Sequence, residues 1–198
     1  MWDERFSTSD FVFGTAPAAY LVAAADHLDK GSRVLCVADG EGRNSVYLAG
    51  LGHEVTAFDA SAVGIEKAKG LAAKQGVSVD YRLSGVEDWD WTRPYDAVVA
   101  IFIQFMPPDM RARIFDGLRQ AVRPGGLLLL HGYAPRQVEY GTGGPRQVQN
   151  MYTTDLLQTH FGDWDILRLE DYDADLDEGT GHSGRSGLVD LIARRPVA

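Results

Sequence analysis

Cysteine is almost absent from this sequence, since Cys36 is the only one among 198 residues. A single cysteine excludes a framework of intramolecular disulfides, and we expect a cytoplasmic location. Long apolar runs are also missing, because no stretch approaches the roughly 18–20 residues that span a bilayer. The opening MWDERFSTSDF lacks the basic and apolar regions of a secretory signal. We therefore expect no membrane partner.

Positive charge is scarce, with 19 Lys and Arg against 28 Asp and Glu, a formal net charge of −9. This balance argues against charge-driven binding to nucleic acid, and we expect no nucleic-acid partner. Acidic residues are concentrated between Glu170 and Glu178, where acids alternate with Tyr172, Ala174 and Leu176. A period of two predicts an extended segment with one face in water. We interpret these acids as a solvated face rather than a binding surface.

Apolar runs of strand length alternate with helical segments through most of the chain. Strands are predicted over 34–38, 53–58, 77–83, 95–102 and 127–130, with helices after most of them. A helix near 154–161 then precedes two strand-like runs, 164–169 and 188–193, which we expect to pair antiparallel. This order predicts an α/β fold, a doubly wound, mostly parallel sheet that ends in an antiparallel hairpin. We expect one domain over 1–198, with an N-terminal arm and helix over 1–30 and the sheet over 33–195.

The first turn between strand and helix, residues 38–44, contains Gly40 and Gly42, and Asp59 ends the next strand. Glycines and a helix start let backbone N–H groups approach a ligand, and a carboxylate at that strand end suits ribose hydroxyls. The pattern predicts a nucleoside-containing ligand. The dinucleotide fingerprint is imperfect, since its third small position falls on Ser45. The acids Asp39 and Glu41 suit an ammonium and a sulfonium better than a pyrophosphate, although an NAD(P)-dependent oxidoreductase remains an alternative.

Residues 34–45, VLCVADGEGRNS, resemble motif I of the class I S-adenosylmethionine-dependent methyltransferases, in the tellurite-resistance and thiopurine-type branch. The resemblance continues in 55–59, 95–102, 123–126, 140–145 and 178–184. It implies a Rossmann-like, seven-stranded sheet with a reversed last strand, and S-adenosyl-L-methionine as cofactor. A non-catalytic module that only binds this cofactor is a further alternative.

The resemblance also implies roles for individual residues. Gly40 and Gly42 are expected under the methionyl part of the cofactor, Asp39 at its ammonium and Asp59 at the ribose. Ser61 and the backbone N–H of Val86 are expected at the adenine, and Ile101 beside the reacting methyl. The full set of expected cofactor-binding residues is Ala38, Asp39, Gly40, Gly42, Asp59, Ala60, Ser61, Gly85, Val86 and Ile101. The chain departs from the family at Cys36, where an acid is common, and at Ala38, where Gly is common.

Few residues are left over to recognise an acceptor. The first 15 residues, the loop 132–150 and the segment 177–187 are sufficient for a lid but not for a domain that binds a macromolecule. We therefore expect a small methyl acceptor: a thiol, a chalcogen oxyanion or a small metabolite. The N-terminal arm is interpreted either as part of the lid or as a surface segment.

Three residues are candidates for the catalytic site: His182, Arg43 and Gln104. His182 lies between glycines before the last strand and is expected to accept a proton or contact an anion. Arg43 begins the first helix after the glycine turn and is expected to pair with an anionic acceptor. Gln104 replaces a residue that is often His in the family, which weakens a role as general base. No metal is predicted, and the protein is expected to be a monomer or a homodimer.

Overall fold

The structure, a computed structural model, describes residues 2–197. Its seven strands form one sheet in the order β3-β2-β1-β4-β5-β7-β6. The strands are β1 (Arg33–Val37), β2 (Glu54–Asp59), β3 (Asp80–Leu83), β4 (Tyr95–Ile101), β5 (Val122–Tyr133), β6 (Asp165–Asp177) and β7 (Ser183–Arg194). The first five strands are parallel, and β7 lies antiparallel between β5 and β6. The predicted fold class and its antiparallel ending are confirmed.

The helices flank this sheet. They are α1 (Trp2–Phe6), α2 (Ala19–Ala24), α3 (Arg43–Gly50), α4 (Ala62–Gln75), α5 (Pro108–Ala121), α6 (Gln137–Tyr140) and α7 (Thr154–Phe161). Among residues 2–197, none of these helices has the length and apolar character needed to cross a membrane.

Strand β1 shows why the central strands read as unbroken apolar runs. Leu35 and Val37 pack in one core together with α5, whereas Val34 and Cys36 pack in a second core on the opposite face, with α2. A strand covered on both faces needs apolar residues at every position. Cys36 is therefore a core residue, 1% exposed.

Helix α4 begins and ends at residues that are typical of helix termini. The Ser61 hydroxyl accepts the Gly64 N–H at its start, and Gly76 adopts a left-handed conformation at its end. Such an N-cap and glycine C-cap each satisfy backbone groups that the helix leaves unpaired.

The predicted lengths of four strands are wrong: β3, β5, β6 and β7. β3 begins at Asp80, whereas the prediction starts at Val77. β5 runs from Val122 to Tyr133, whereas the prediction covers only 127–130. The closing hairpin is about twice as long as predicted, since β6 and β7 pair from Asp165–Arg194 to Asp177–Ser183. The pairing adds polar residues that an apolar pattern does not mark as strand.

The parallel strands point their carboxyl ends at one edge of the sheet, where β1 lies between β2 and β4. The order of the strands reverses there: β2 and β3 lie on one side of β1, whereas β4 and β5 lie on its other side. This switch point of a doubly wound sheet is the expected place for a ligand.

Candidate active site

A cleft of about 570 Å³ opens at this switch point, a size that suits a small-molecule ligand. The loops after β1, β2, β3 and β4 each contribute to its wall. From the predicted cofactor-binding residues, the cleft is lined by Ala38, Asp39, Gly40, Asp59, Ala60, Gly85, Val86 and Ile101. The three candidate catalytic residues also border it: Arg43, Gln104 and His182.

Asp59 ends β2 with its carboxylate fixed by two backbone groups. Oδ2 accepts the N–H of Gly40 at 2.8 Å, and Oδ1 accepts the N–H of Ser61 at 2.8 Å. The residue is 7% exposed, and burial raises the pKa of its carboxyl above the ordinary value. Each oxygen keeps a second lone pair, so the carboxylate can still accept hydrogen bonds from a ligand.

Asp39 follows β1 and points toward the start of α3. Its carboxylate accepts hydrogen bonds from the hydroxyl and the N–H of Ser45. Loss of solvation raises the pKa of Asp39 to about 7, although the hydrogen bonds from Ser45 oppose the shift. The positive charge of Arg43 opposes the shift as well, but within residues 2–197 the Asp39 carboxyl forms no ion pair. It is therefore able to pair with a positively charged ligand group at the wall of the cleft.

Two residues of the cleft wall have left-handed backbones without being glycine: Ala38 has φ of 49° and Phe102 has φ of 56°. L-residues pay a steric cost in this region, and such strain is concentrated at functional sites. Ala38 occupies the position where the resembling family often has Gly, so its conformation explains that preference.

Two of the predicted cofactor-binding residues, Gly42 and Ser61, are not among the residues that line the cleft. A Cβ on Gly42 would stand 2.6 Å from the Cβ of Ala68, so this glycine permits close packing of α3 on α4. Ser61 is 1% exposed, caps α4 and donates its hydroxyl to Asp3 Oδ1 at 2.5 Å. Both residues stabilise the loops and helices next to the cleft.

Glu41 is also not a cleft residue, which removes part of the reason for choosing a cationic ligand. Its carboxylate pairs with Lys67 Nζ at 2.5 Å and accepts the N–H of Val12 at 2.8 Å. Glu41 therefore fixes the N-terminal arm, and of these two acids only Asp39 lines the cleft.

Gln104 borders the cleft and binds the backbone of Tyr133 through both ends of its side-chain amide. Its Nε2 donates to the carbonyl of Tyr133 at 2.8 Å, and its Oε1 accepts the N–H of Tyr133 at 2.6 Å. This side chain thereby clamps the end of β5 to the loop after β4, and the catalytic role of Gln104 stays a prediction.

His182 lies in the cleft wall between two aromatic rings. Its imidazole stacks on Phe13 at 4.5 Å and on Phe102 at 4.1 Å between centroids, and Nδ1 lies 2.5 Å from the hydroxyl of Tyr133. Burial, with Arg43 and Arg5 nearby, lowers the pKa of His182 to about 2. The imidazole is therefore neutral at physiological pH and is a poor proton acceptor.

Arg43 forms an ion pair with Glu178, an acid that the sequence pattern predicts on the solvated face. Its Nη2 lies 2.8 Å from Oε2 of Glu178, and both side chains are only 7% exposed. Glu178 also accepts the N–H of Ala19, so it is not part of the solvated face. The Nη1 of Arg43 has no hydrogen-bond partner in the described chain.

The N-terminal arm closes one side of the cleft. Trp2, Arg5, Phe6 and Phe13 line it. Lys67 fixes the arm, because its ammonium donates to the carbonyls of Phe6, Thr8 and Asp10. These contacts connect segments about 60 residues apart, so no local sequence pattern marks them.

The cleft suits a nucleoside and a charged tail. The carboxylate oxygens of Asp59 are available to a ligand in the cleft, which Ala60 and Val86 also line. Gly40 has no side chain, and a Cβ there would lie only 3.3 Å from the ring of Phe6, so a larger residue would reduce the space for a ligand. Among residues 2–197, no three His, Cys, Asp or Glu side chains are grouped so as to hold a metal ion.

Sequence comparison gives matches to methyltransferases. Residues 34–126 match a family described as "Methyltransferase domain". The ubiquinone biosynthesis O-methyltransferase of Xylella fastidiosa strain 9a5c is 35% identical over 102 residues, 50% of this chain and 41% of that protein. Its counterpart in Xanthomonas euvesicatoria pv. vesicatoria strain 85-10 is 36% identical over 102 residues and 42% of its length. The chain spans about two fifths of the length of the curated relatives it matches.

Solved structures share the fold over most of the chain. A protein solved in a study of the conversion of a disulfide bond into a thioacetal group during echinomycin biosynthesis has a TM-score of 0.77 at 20% identity, over 98% of this chain and 88% of that one. TehB from Haemophilus influenzae has a TM-score of 0.74 at 20% identity, over 98% and 65%. Magnesium protoporphyrin IX methyltransferase from Synechocystis PCC 6803, solved with bound SAH, has 0.68 at 17%, over 89% and 79%.

At these identities the structural likeness concerns the fold, while the sequence match concerns the segment that carries the glycine turn and Asp59. Together they show that residues 34–126 are similar to a methyltransferase domain and that the chain shares the fold of the solved proteins named above.

Proposed function

We propose that this protein transfers a methyl group from S-adenosylmethionine to a small-molecule nucleophile bound in the cleft. The observation that carries the proposal is the Asp59 carboxylate at the end of β2, beside the glycine turn after β1, in a cleft of about 570 Å³. The match of residues 34–126 to a methyltransferase domain supports it.

The bound cofactor supplies a methyl group on a sulfonium, which is already reactive toward nucleophiles. The protein therefore contributes mainly by binding, orientation and exclusion of water. In this proposal Asp59 accepts the ribose hydroxyls, Asp39 faces the methionyl ammonium, and Gly85 and Val86 border the adenine. The backbone of Gly40 lies under the methionyl part, and Ile101 lies beside the methyl.

The acceptor is proposed to bind at the aromatic end of the cleft. Phe102, Phe105, Tyr133 and His182 line this end together with the arm. The arm covers a cleft that would otherwise be open to water, so we propose that it acts as the lid. The space is suited to a small molecule and not to a folded protein.

The proposal is tested by measuring S-adenosylhomocysteine formed from S-adenosylmethionine with a panel of thiols, chalcogen oxyanions and small hydroxylated metabolites. We expect turnover with at least one class. Saturable cofactor binding without turnover on any acceptor would contradict the proposal and favour a binding module. Binding of NAD(P) in place of S-adenosylmethionine would favour an oxidoreductase.

An oxygen nucleophile is the second candidate acceptor. It is favoured by the name of the relatives from Xylella and Xanthomonas, which are O-methyltransferases of ubiquinone biosynthesis. The panel therefore includes matched phenols and thiophenols, whose relative turnover distinguishes oxygen from sulfur acceptors.

A further inference from the structure

Tyr133 and His182 form a buried pair at the proposed acceptor end of the cleft, and the proposed function gives this pair no chemical role. Tyr133 is 1% exposed and ends β5, and His182 is 6% exposed and comes just before β7. Their 2.5 Å contact joins the phenol oxygen to Nδ1 of the imidazole. The Tyr133 ring is held by the glycine loop, since a Cβ on Gly144 would lie 2.6 Å from it.

The direction of this hydrogen bond follows from the partners available. Within residues 2–197, the Tyr133 hydroxyl has His182 Nδ1 as its hydrogen-bond partner and no other. If Nδ1 carried the proton and donated it, the phenol proton would be buried without an acceptor, which is costly. If the phenol donates instead, Nδ1 is an acceptor and the proton of the neutral imidazole lies on Nε2.

The ring cannot turn easily to exchange its two nitrogens. It is stacked between Phe13, on the arm, and Phe102, whose strained backbone is held by an N–H···O bond to His131 at 2.9 Å. Within the described chain Nε2 makes no hydrogen bond, and the imidazole lines the cleft. His182 therefore offers the cleft an N–H donor.

The neighbouring groups add further donors and positive charge. Arg43 has an unpartnered, buried Nη1, and the exposed Arg5 lies with its guanidinium 5.1 Å from the centroid of Phe13. The charged and titratable groups facing His182 are Arg5 from α1, Arg43 from α3, and Tyr133 and His131 from β5. Glu178 is the acid on this side, and it is paired with Arg43.

We propose that Tyr133 is a positioning residue that fixes His182 as a hydrogen-bond donor, so that the cleft binds an acceptor that has already lost its proton. This inference rests on the proposed function for the acceptor but concerns a proton position that exists in the protein alone. The low pKa of His182 agrees with it, because an imidazole that protonates only near pH 2 cannot serve as the base.

The first test needs no acceptor. The full chain is labelled with ¹⁵N-histidine, and the His182 signals are assigned by their loss in His182→Gln. We expect an unprotonated Nδ1 and a protonated Nε2 throughout the range from about pH 5.5 to 8.5 in which an ordinary histidine titrates. In Tyr133→Phe we expect this single tautomer to be lost. A protonated Nδ1 in the wild type, titration within the range, or an unchanged tautomer in Tyr133→Phe would each overturn the proposal.

Tyr152→Phe is the matched control. Tyr152 is fully buried, but its hydroxyl has no hydrogen-bond partner in the described chain. Removing this hydroxyl should leave the His182 tautomer and the rate of methyl transfer unchanged, whereas Tyr133→Phe should lower kcat/KM about tenfold. Equal effects of the two variants would show a merely structural role.

The second test uses thiophenols of graded acidity. If the acceptor ionises before binding, the midpoint of the pH profile of kcat/KM should follow the pKa of each acceptor. A midpoint that stays constant across the series would reveal a base in the enzyme and overturn the proposal. Absence of all turnover would contradict the proposed function, while the tautomer measurement would still decide the position of the proton.

Discussion

Ala38, at the start of the glycine turn, has a φ of 49° that favours glycine. Because an L-residue pays about 1 kcal/mol or more there, Ala38→Gly should raise the free energy of unfolding by about 0.5–1 kcal/mol. Ala73→Gly on the exposed side of α4 is the control and should lower it by a similar amount. Urea denaturation measures both, and a loss of stability in Ala38→Gly would contradict the strained backbone.

Asp39 makes the stability of the protein depend on pH. Its pKa is raised from 3.8 to about 7 in the folded chain, so its stabilising contribution is full below about pH 4 and is lost as pH rises toward 7. Asp39→Asn removes the ionisation. The stability of the variant relative to wild type should therefore increase by about 2 kcal/mol between pH 4 and pH 8, allowing for partial exposure. Urea titrations at both pH values measure it, and a constant difference would contradict the shift.

At the residue scale, the sequence predicts which turns contribute to the site better than it predicts where each side chain points. Asp59 and His182 reach the cleft, but Gly42 packs against Ala68 and Ser61 caps α4. Gln104 binds the backbone N–H and carbonyl of Tyr133 with its side-chain amide. Residue type and spacing fix the position of a turn along the chain, whereas side-chain direction depends on partners far away in sequence.

At the scale of elements, one lysine binds the N-terminal arm at several points. Lys67 on α4 holds three carbonyls of the arm and Glu41. Lys67→Ala should speed amide hydrogen exchange in residues 2–13 and raise the KM for S-adenosylmethionine several-fold, since the arm covers the cleft. The protection of β1 and β4 should not change.

Lys69→Ala is the matched control on the same helix. Lys69 pairs with Glu66, and both side chains are mostly exposed; such a pair contributes little to stability. Unchanged exchange of the arm in Lys67→Ala, or equal effects of the two variants, would contradict the role assigned to Lys67.

Helices and central strands were predicted well because their apolar periodicity is local, as in α4 and β1. The predicted closing hairpin is too short because β6 continues through polar residues, which pair with residues of β7. Tyr172 and Asp173 illustrate this: they pair with Leu188 and Gly187, and Arg136 binds the Asp173 carboxylate. Strand pairing at such positions comes from tertiary contacts that no short sequence window contains.

At the scale of the whole molecule, the net charge of −9 does not describe the cleft. The alternating acids from Asp171 to Asp177 are exposed on β6, as the period of two predicts, although Arg136 pairs with two of them. Glu178 leaves this pattern and is buried against Arg43, 135 residues away in sequence. The acidic net charge of the protein therefore does not predict the charges in the cleft wall, where Glu178 pairs with Arg43 and Arg5 is a further cation.

The most direct test of the account is calorimetric titration of the full chain with S-adenosylmethionine, in wild type and in Asp59→Asn. We expect one molecule bound per chain in wild type and at least about tenfold weaker binding in the variant, since it loses a charged acceptor at the ribose. Asparagine keeps one acceptor oxygen for the backbone, so the fold should persist, as circular dichroism will show. No saturable binding to the wild type, or equal affinity of the folded variant, would contradict the account.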